Sequence, residues 1–222
     1  MQTLFEVSEM EPHHLQPSYN IAPTQDTYIV DAPEAQRRLR IVRWGLVPSW
    51  SHDASGAARL INARSETVAE KPSFKAAFAK RRCLVPMDGW YEWQGTGKQP
   101  WYLSRHDGMA GVAGIYERWR PANVDPNDPA AVLHTMSVLT TEPSADIAHI
   151  HDRMPVLIEP TDFDAWLDPE TDLSELMHLL RPAPVGTVQA WKVSRAVSQV
   201  RNNGSALIEP LEAPVPEQPS LW

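Results

Sequence analysis

Two short stretches of this 222-residue sequence gather groups that can move protons. In Ala148–Pro155, AHIHDRMP, two imidazoles, a carboxylate and a guanidinium occupy positions 149–153. Imidazole titrates near neutral pH, and a guanidinium two residues away can hold a phosphate or carboxylate through paired hydrogen bonds. His151 and Arg153 therefore suit a catalytic site, and they share a face if the segment is extended. A metal reading uses His149 and His151, again on one face of a strand. It needs further ligands, but Asp152 would point the opposite way, and His13, His14, His52, His106, His134 and His178 show no ligand spacing. A polar, capped strand end is the third reading of the same residues.

The second stretch is Asp88–Gln94, DGWYEWQ, a turn pair followed by alternating aromatic and polar residues. As a strand it places Trp90 and Glu92 on one face, Tyr91 and Trp93 on the other. A carboxyl beside an indole in a partly apolar site has a raised pKa and can deliver a proton near neutrality. A surface glutamate on a half-exposed strand is the plain alternative. Three more stretches keep polar groups where strands should bury apolar ones. YNIAPTQ (Tyr19–Gln25) ends in a proline-directed turn, RLINARSET (Arg59–Thr67) sets Asn62 and Arg64 two apart, and SRAVSQVRNN (Ser194–Asn203) carries Arg195 and Arg201. Cys83, flanked by Arg82 and Leu84, reads as a buried core thiol rather than a nucleophile.

These groups need elements to position them. Strand-like runs are Thr27–Asp31, Leu39–Trp44, Cys83–Met87, Trp90–Gln94, Trp101–Ser104, Val112–Tyr116, Thr135–Thr140 and Val156–Ile158. Ser73 is placed to cap a helix burying Phe74, Ala77 and Phe78, and Thr161 to cap one burying Phe163, Trp166 and Leu167. Leu173, Leu176, Met177 and Leu180 give a further helical stripe, and Leu4, Phe5 and Val7 a short N-terminal helix. Twenty-one prolines favour short strands and irregular loops. The expected class is α+β, mainly antiparallel β with a few peripheral helices. One domain is expected over 1–222, with 211–222 a poorly ordered tail.

An apolar fraction of 42% with no run near the length of a membrane span indicates a soluble protein of the cytoplasm. A single cysteine excludes a disulfide framework and a zinc site built mainly from thiolates. The net charge is −8, yet residues 35–105 hold 13 Lys and Arg against 5 Asp and Glu. Residues 1–34 hold none against 6, and residues 106–222 hold 7 against 17. Either a positive groove lies on an acidic body, or the basic residues are solvated strand and helix faces. Trp44, Trp50, Trp90 and Trp93 lie inside this basic segment, a composition that also suits stacking on unpaired bases.

YNIAPTQ, WGLVPSW, LINARSET, CLVPMDGWYEW, IHDRMPVLI and SRAV…VRNNG, in this order, resemble the SOS response-associated peptidase (SRAP) family. The resemblance runs from about Tyr19 to Pro210. It implies a barrel-like fold, single-stranded DNA as partner, abasic sites as the target and a monomer associated with the nucleoid when DNA is damaged. It implies no cofactor and no metal. The family's nucleophile is a cysteine that becomes N-terminal when the initiator methionine is removed, a step tied to the peptidase label. Its amine forms a Schiff base with the abasic aldehyde, and its thiol closes a thiazolidine. By position in the motifs, Asn62 orients that amine, Glu92 is the acid/base and His151 assists sugar ring opening. Arg64 and Arg153 hold phosphates, Trp50 and Pro23 line the DNA path, and Asn20 and Arg195 join the DNA-binding set.

The family begins Met-Cys-Gly-Arg, whereas this sequence begins Met1-Gln2-Thr3-Leu4-Phe5 and has no cysteine before Cys83. The expectation is an N-terminal strand upstream of Met1 carrying the missing segment, and no thiazolidine chemistry without it. Two other classes remain open: a non-catalytic DNA-binding module, and a hydrolase using Glu92 and His151 with Cys83 or water as nucleophile.

Overall fold

Strand alternation between two apolar environments sets the architecture. The computed structural model describes residues 1–10, 15–122, 124, 125, 128 and 131–211. Helix α1 (Gln2–Phe5) and β1 (Glu9–Met10) are followed by β2 (Asp26–Asp31), β3 (Arg38–Trp44), β4 (Asn62–Arg64) and α2 (Lys75–Lys80). Then come β5 (Arg82–Met87), β6 (Trp90–Gln94), β7 (Gln99–Arg105), β8 (Ala110–Trp119) and β9 (Leu133–Thr141). Short strands β10 (Met154–Pro155) and β11 (Leu157–Ile158), helices α3 (Phe163–Leu167) and α4 (Leu173–Leu179), and β12 (Val188–Lys192) follow.

Strands β3, β2, β5, β8 and β9 pair antiparallel in that order. β9 then pairs parallel with β3, at Arg43↔Thr135 and Trp44↔Met136, which closes five strands into a barrel. An odd number of strands cannot alternate direction around a ring, so one parallel seam is unavoidable. β4 continues that seam along β9, from Asn62↔Val138 to Arg64↔Thr140. The Trp44 indole ties the two halves by donating to the Ile61 carbonyl at 2.9 Å. β10 and β11 wedge between β9 and β8, where the Val156 N–H donates to Leu139 and the Val156 carbonyl accepts from Ala113.

One side of the strands packs Val30, Leu39, Leu84, Ala113, Ile115 and Leu139 under the helices, with Phe5, Phe78, Phe163 and Trp166 fully buried. The other side packs Ile29, Val42, Cys83, Val85, Val112 and Met136 against a second, antiparallel sheet β12-β7-β6. That sheet contributes Leu103, Trp90 and Trp101 inward, and stacks Tyr91, Tyr102 and Trp191 on its far side. The protein is therefore an α+β structure built on a mixed, mainly antiparallel barrel with few helices.

Seven of the eight expected strands are present, six of them lengthened by one to five residues because pairing extends past the apolar run, while the expected Val156–Ile158 strand is replaced by the short β10 and β11 on either side of Val156. β12 and the parallel β1 and β4 carry too little apolar alternation to have been expected as strands. The helix caps are corrected. Phe74, not Ser73, holds the cap position of α2, and Thr161 lies in a 3-10 turn (Pro160–Asp162) leading into α3, with no side-chain cap in either. Leu173 and Met177 are 56% and 38% exposed, since α4 lays only its Leu176 edge and the following Leu180 on the core. The tail beyond Leu211 falls outside the described residues. Among the described residues, no helix is long and apolar enough to cross a membrane.

The helices are fastened to the barrel by Arg82, 3% exposed at the start of β5. Its guanidinium donates to the carbonyls of Phe78, Ala79, Trp166 and Asp168, closing the C-terminal ends of α2 and α3. Replacement by methionine keeps the stem but strands those carbonyls. Arg82→Met is expected to lower stability by at least about 3 kcal/mol, a drop of roughly 6 °C or more in Tm by calorimetry.

Candidate active site

Glu92 sits at the centre of β6, directly opposite Trp101 of β7. Residues opposite one another share a face, so the carboxyl lies beside the Trp101 indole as well as that of Trp90, two positions away. Its side chain is 19% exposed. Burial among these rings pushes its pKa up to about 7, against a pull downward from His151 and a further push from the Asp152 charge. Desolvation outweighs the imidazole's attraction, leaving a carboxyl that exchanges its proton near neutral pH.

His151 Nδ1 lies 3.7 Å from Glu92 Oε2 and 3.4 Å from Asp152 Oδ1. The segment is not the strand end expected from alternation. Residues 145–150 turn and Asp152 bends, with pairing resuming only at Met154. The turn brings Asp152 back towards its neighbour, which a strand would have forbidden. His151 Nδ1 meets both the Arg153 backbone N–H, at 3.1 Å, and the Arg153 carbonyl, at 3.2 Å, so the ring is held by its own loop whichever nitrogen carries the proton. His149 is drawn away, its ring edge-on to Trp101 with centroids 5.6 Å apart. Among the described residues, no group of three or more His, Cys, Asp or Glu is placed to hold a metal.

Arg153 grips Glu66 with two bonds of 2.6 and 2.9 Å and donates to the Thr140 carbonyl at 2.6 Å. That ion pair holds the Glu66 carboxyl below its usual range. Glu66 was not among the residues picked from the sequence, although it lies two positions beyond Arg64 in RLINARSET. Gln94, Trp101 and Asp152 were likewise passed over. Only the hairpin register reveals Trp101.

Asn62 and Arg64 point to the same side of β4, both exposed. The Asn62 amide makes no hydrogen bond, and Arg64 no ion pair, among the described residues. Register sets Arg64 against Thr140, whose carbonyl also accepts from Arg153, so the two guanidiniums belong to one end of β9. Trp50 is 65% exposed on the loop after β3, and Ser51 in that loop is held by the Trp119 indole. Pro23 is exposed in a turn closed by Gln25. Asn20 has its amide on the carbonyls of Val197, Gln199 and Asn202, and Arg195 donates to Gly97. These two hold loops together in this structure.

Part of the basic stretch 35–105 is paired with acids from the flanking segments. Arg37 pairs with Glu6 and Asp164, Arg40 with Asp31, Arg81 with Glu117, Arg105 with Glu159, and Lys80 with Glu170. Cys83 is fully buried and burial raises its thiol pKa well above normal, the opposite of what an activated nucleophile needs.

Because the folded pKa of Glu92 exceeds its ordinary value of 4.5, the native state holds this proton more tightly than the unfolded chain. The resulting stability is complete below about pH 4.5 and is lost as pH rises through about 7. Glu92→Gln, which cannot ionise, is expected to gain on the wild type over that interval, by about 1–2 kcal/mol or ~2–6 °C in Tm near pH 8. Thermal melts of both proteins across that range provide the check; parallel curves would refute the raised pKa.

Comparison with known proteins places this geometry in context. The sequence matches the family profile described as SOS response associated peptidase (SRAP) over residues 1–200. It is 36% identical over 198 residues to the abasic site processing protein YoqW of Bacillus subtilis, covering 87% of this chain and 86% of that protein. With the abasic site processing protein HMCES of Gallus gallus it shares 32% identity over 237 residues, covering 91% of this chain and 68% of that one. A crystal structure of a Bacteroides thetaiotaomicron protein matches with a TM-score of 0.75 at 25% identity, covering 85% of this chain and 82% of that one. With the motifs, the barrel and the profile in agreement, the chain belongs to the SOS response associated peptidase family.

Proposed function

We propose that this site processes abasic sites in single-stranded DNA, supplying the proton transfers by which an N-terminal cysteine is joined to the lesion. The observation that carries the reading is Glu92, with a pKa near 7, facing His151 at 3.7 Å. Imine formation needs a group that can both give and take a proton at neutral pH, and a carboxyl so tuned does both. Relatives named abasic site processing proteins support the substrate class.

In this scheme His151 takes the proton from the C1′ hydroxyl of the closed sugar and delivers it to the ring oxygen as the bond from C1′ to that oxygen breaks, opening the aldehyde. A neutral amine, oriented by the Asn62 amide, adds to that carbon, and one of its protons passes to the carbonyl oxygen. Glu92 donates a proton to the resulting hydroxyl as it leaves as water, and the Glu92 carboxylate so formed takes the remaining proton from nitrogen, giving the neutral Schiff base. Thiol addition to the imine carbon then closes the thiazolidine, with the thiol proton passing to nitrogen. Arg64 and Arg153 meet the flanking phosphates, and Trp50 and Pro23 offer surfaces along the strand. Asn20 and Arg195 support that path by fixing the loops beside it. The buried Cys83 cannot supply that amine and thiol, so the scheme requires an N-terminal cysteine.

The test compares the 222-residue chain with a form bearing Met-Cys-Gly-Arg at its start. Each is incubated with abasic and intact single-stranded oligonucleotides and resolved on denaturing gels. An adduct is expected only with the cysteine-bearing form and the abasic strand. Glu92→Ala and His151→Ala in that form should each slow it by roughly 10²–10⁴-fold. Binding without any adduct would favour a non-catalytic DNA-binding module, and adduct rates indifferent to both substitutions would overturn the assigned roles. Strand-independent hydrolysis by the chain as given would instead favour Glu92 and His151 activating water.

A further inference from the structure

Glu92 and His151 belong to elements that share no backbone pairing among the described residues: β6 on one side, the 148–153 loop on the other. Their separation therefore depends on side chains. Gln94 stands two positions after Glu92, on the same face of β6. The Trp101 indole donates to Gln94 Oε1 at 3.1 Å, and Gln94 Nε2 donates to the His149 carbonyl at 2.9 Å. An indole N–H can only donate, so the amide oxygen must face Trp101 and its NH₂ must face the loop. The amide orientation is thereby fixed by chemistry. The His149 ring closes the arrangement by meeting the same Trp101 edge-on at 86°.

We propose that Gln94 is a positioning residue: oriented by Trp101, it pins the loop at His149 and so sets the distance between Glu92 and His151. The inference rests on the reading of that pair as the acid–base centre. The clamp lies two residues from Glu92 along the strand and two from His151 along the loop, so slack in it passes to the pair. Charged and titratable groups around it are Glu92 on its own strand, His149, His151 and Asp152 on the loop, and Lys192 above the Trp101 ring.

Two substitutions separate positioning from bulk structure. Gln94→Leu keeps the size and removes both bonds. Gln94→Glu keeps the acceptor for Trp101, but when ionised turns a second oxygen on the His149 carbonyl; protonated, it donates there as the amide does. The Glu92 carboxyl carbon and the His151 ring carbons are followed by NMR against pH in the 222-residue chain without DNA. In the wild type each signal should register the other's titration. In Gln94→Leu that cross-response should vanish, and in Gln94→Glu, whose new carboxyl is ionised across the range in which Glu92 titrates, it should be lost as well.

The same substitutions in the cysteine-bearing form should slow adduct formation roughly 10–100-fold at neutral pH. Circular dichroism melts monitor folding. Should Gln94→Leu fail to fold, loss or retention of the cross-response in Gln94→Glu decides alone. Unchanged cross-response and unchanged adduct rate in both variants would overturn the proposal. If the cross-response is lost but the wild-type cysteine-bearing form makes no adduct, the clamp stands and the assigned function falls.

Discussion

A carboxyl group withdrawn from water and kept within reach of an imidazole is the constraint around which the rest of this molecule is arranged. Removing a carboxylate from water is expensive, and at 3.7 Å a charged imidazole would return only about 4 kcal/mol in a partly screened protein environment. The outcome is visible in the direction of the pKa: Glu92 is raised despite His151, so desolvation wins. A strand with one loosely packed face could not hold such a group. β6 does so because Trp90 and Trp101 pack it onto the barrel while the Tyr91–Tyr102–Trp191 stack fastens the hairpin from behind.

The barrel solves a different problem, the gathering of groups far apart in sequence. Its parallel seam places β4 along β9, and the β10–β11 wedge enters between β9 and β8 at the same end. Thr140 of β9 is the meeting point: Arg64 pairs with it, Pro155 pairs with it, and Arg153 bonds its carbonyl. Two segments of the candidate site, β4 and residues 153–155, therefore depend on the pairing of one strand. The helices take no part in the site; they cover the opposite side of the strands and are locked there through Arg82.

Much of this was legible in the sequence, and unevenly so. The Glu92 strand could be read because its aromatic and polar residues alternate, and the structure keeps that alternation. The AHIHDRMP segment misled, since alternation was applied to residues that turn; nothing local distinguishes a tight polar turn from a polar strand end. Glu66, Gln94 and Trp101 escaped because their importance lies in who they touch, and register and loop docking are not written in any single stretch. The charge map has the same limit: it does not show that Arg37, Arg81 and Arg105 reach across the fold to acids far away in sequence. The parallel seam was likewise invisible, because a single sequence does not declare how many strands a ring will hold.

The pairing of Arg153 with Glu66 has an implication for how this surface meets polyanions. Arg64, exposed and without an ion pair among the described residues, would shed only diffuse salt ions when a phosphate approaches. Arg153 already carries a counterion built into the protein, held by two short bonds. A phosphate arriving there exchanges with a tethered carboxylate, whose local concentration does not change with the buffer. The two arginines would thus differ in kind: a phosphate could meet Arg64 directly, whereas at Arg153 it would first have to displace a carboxylate of the protein itself.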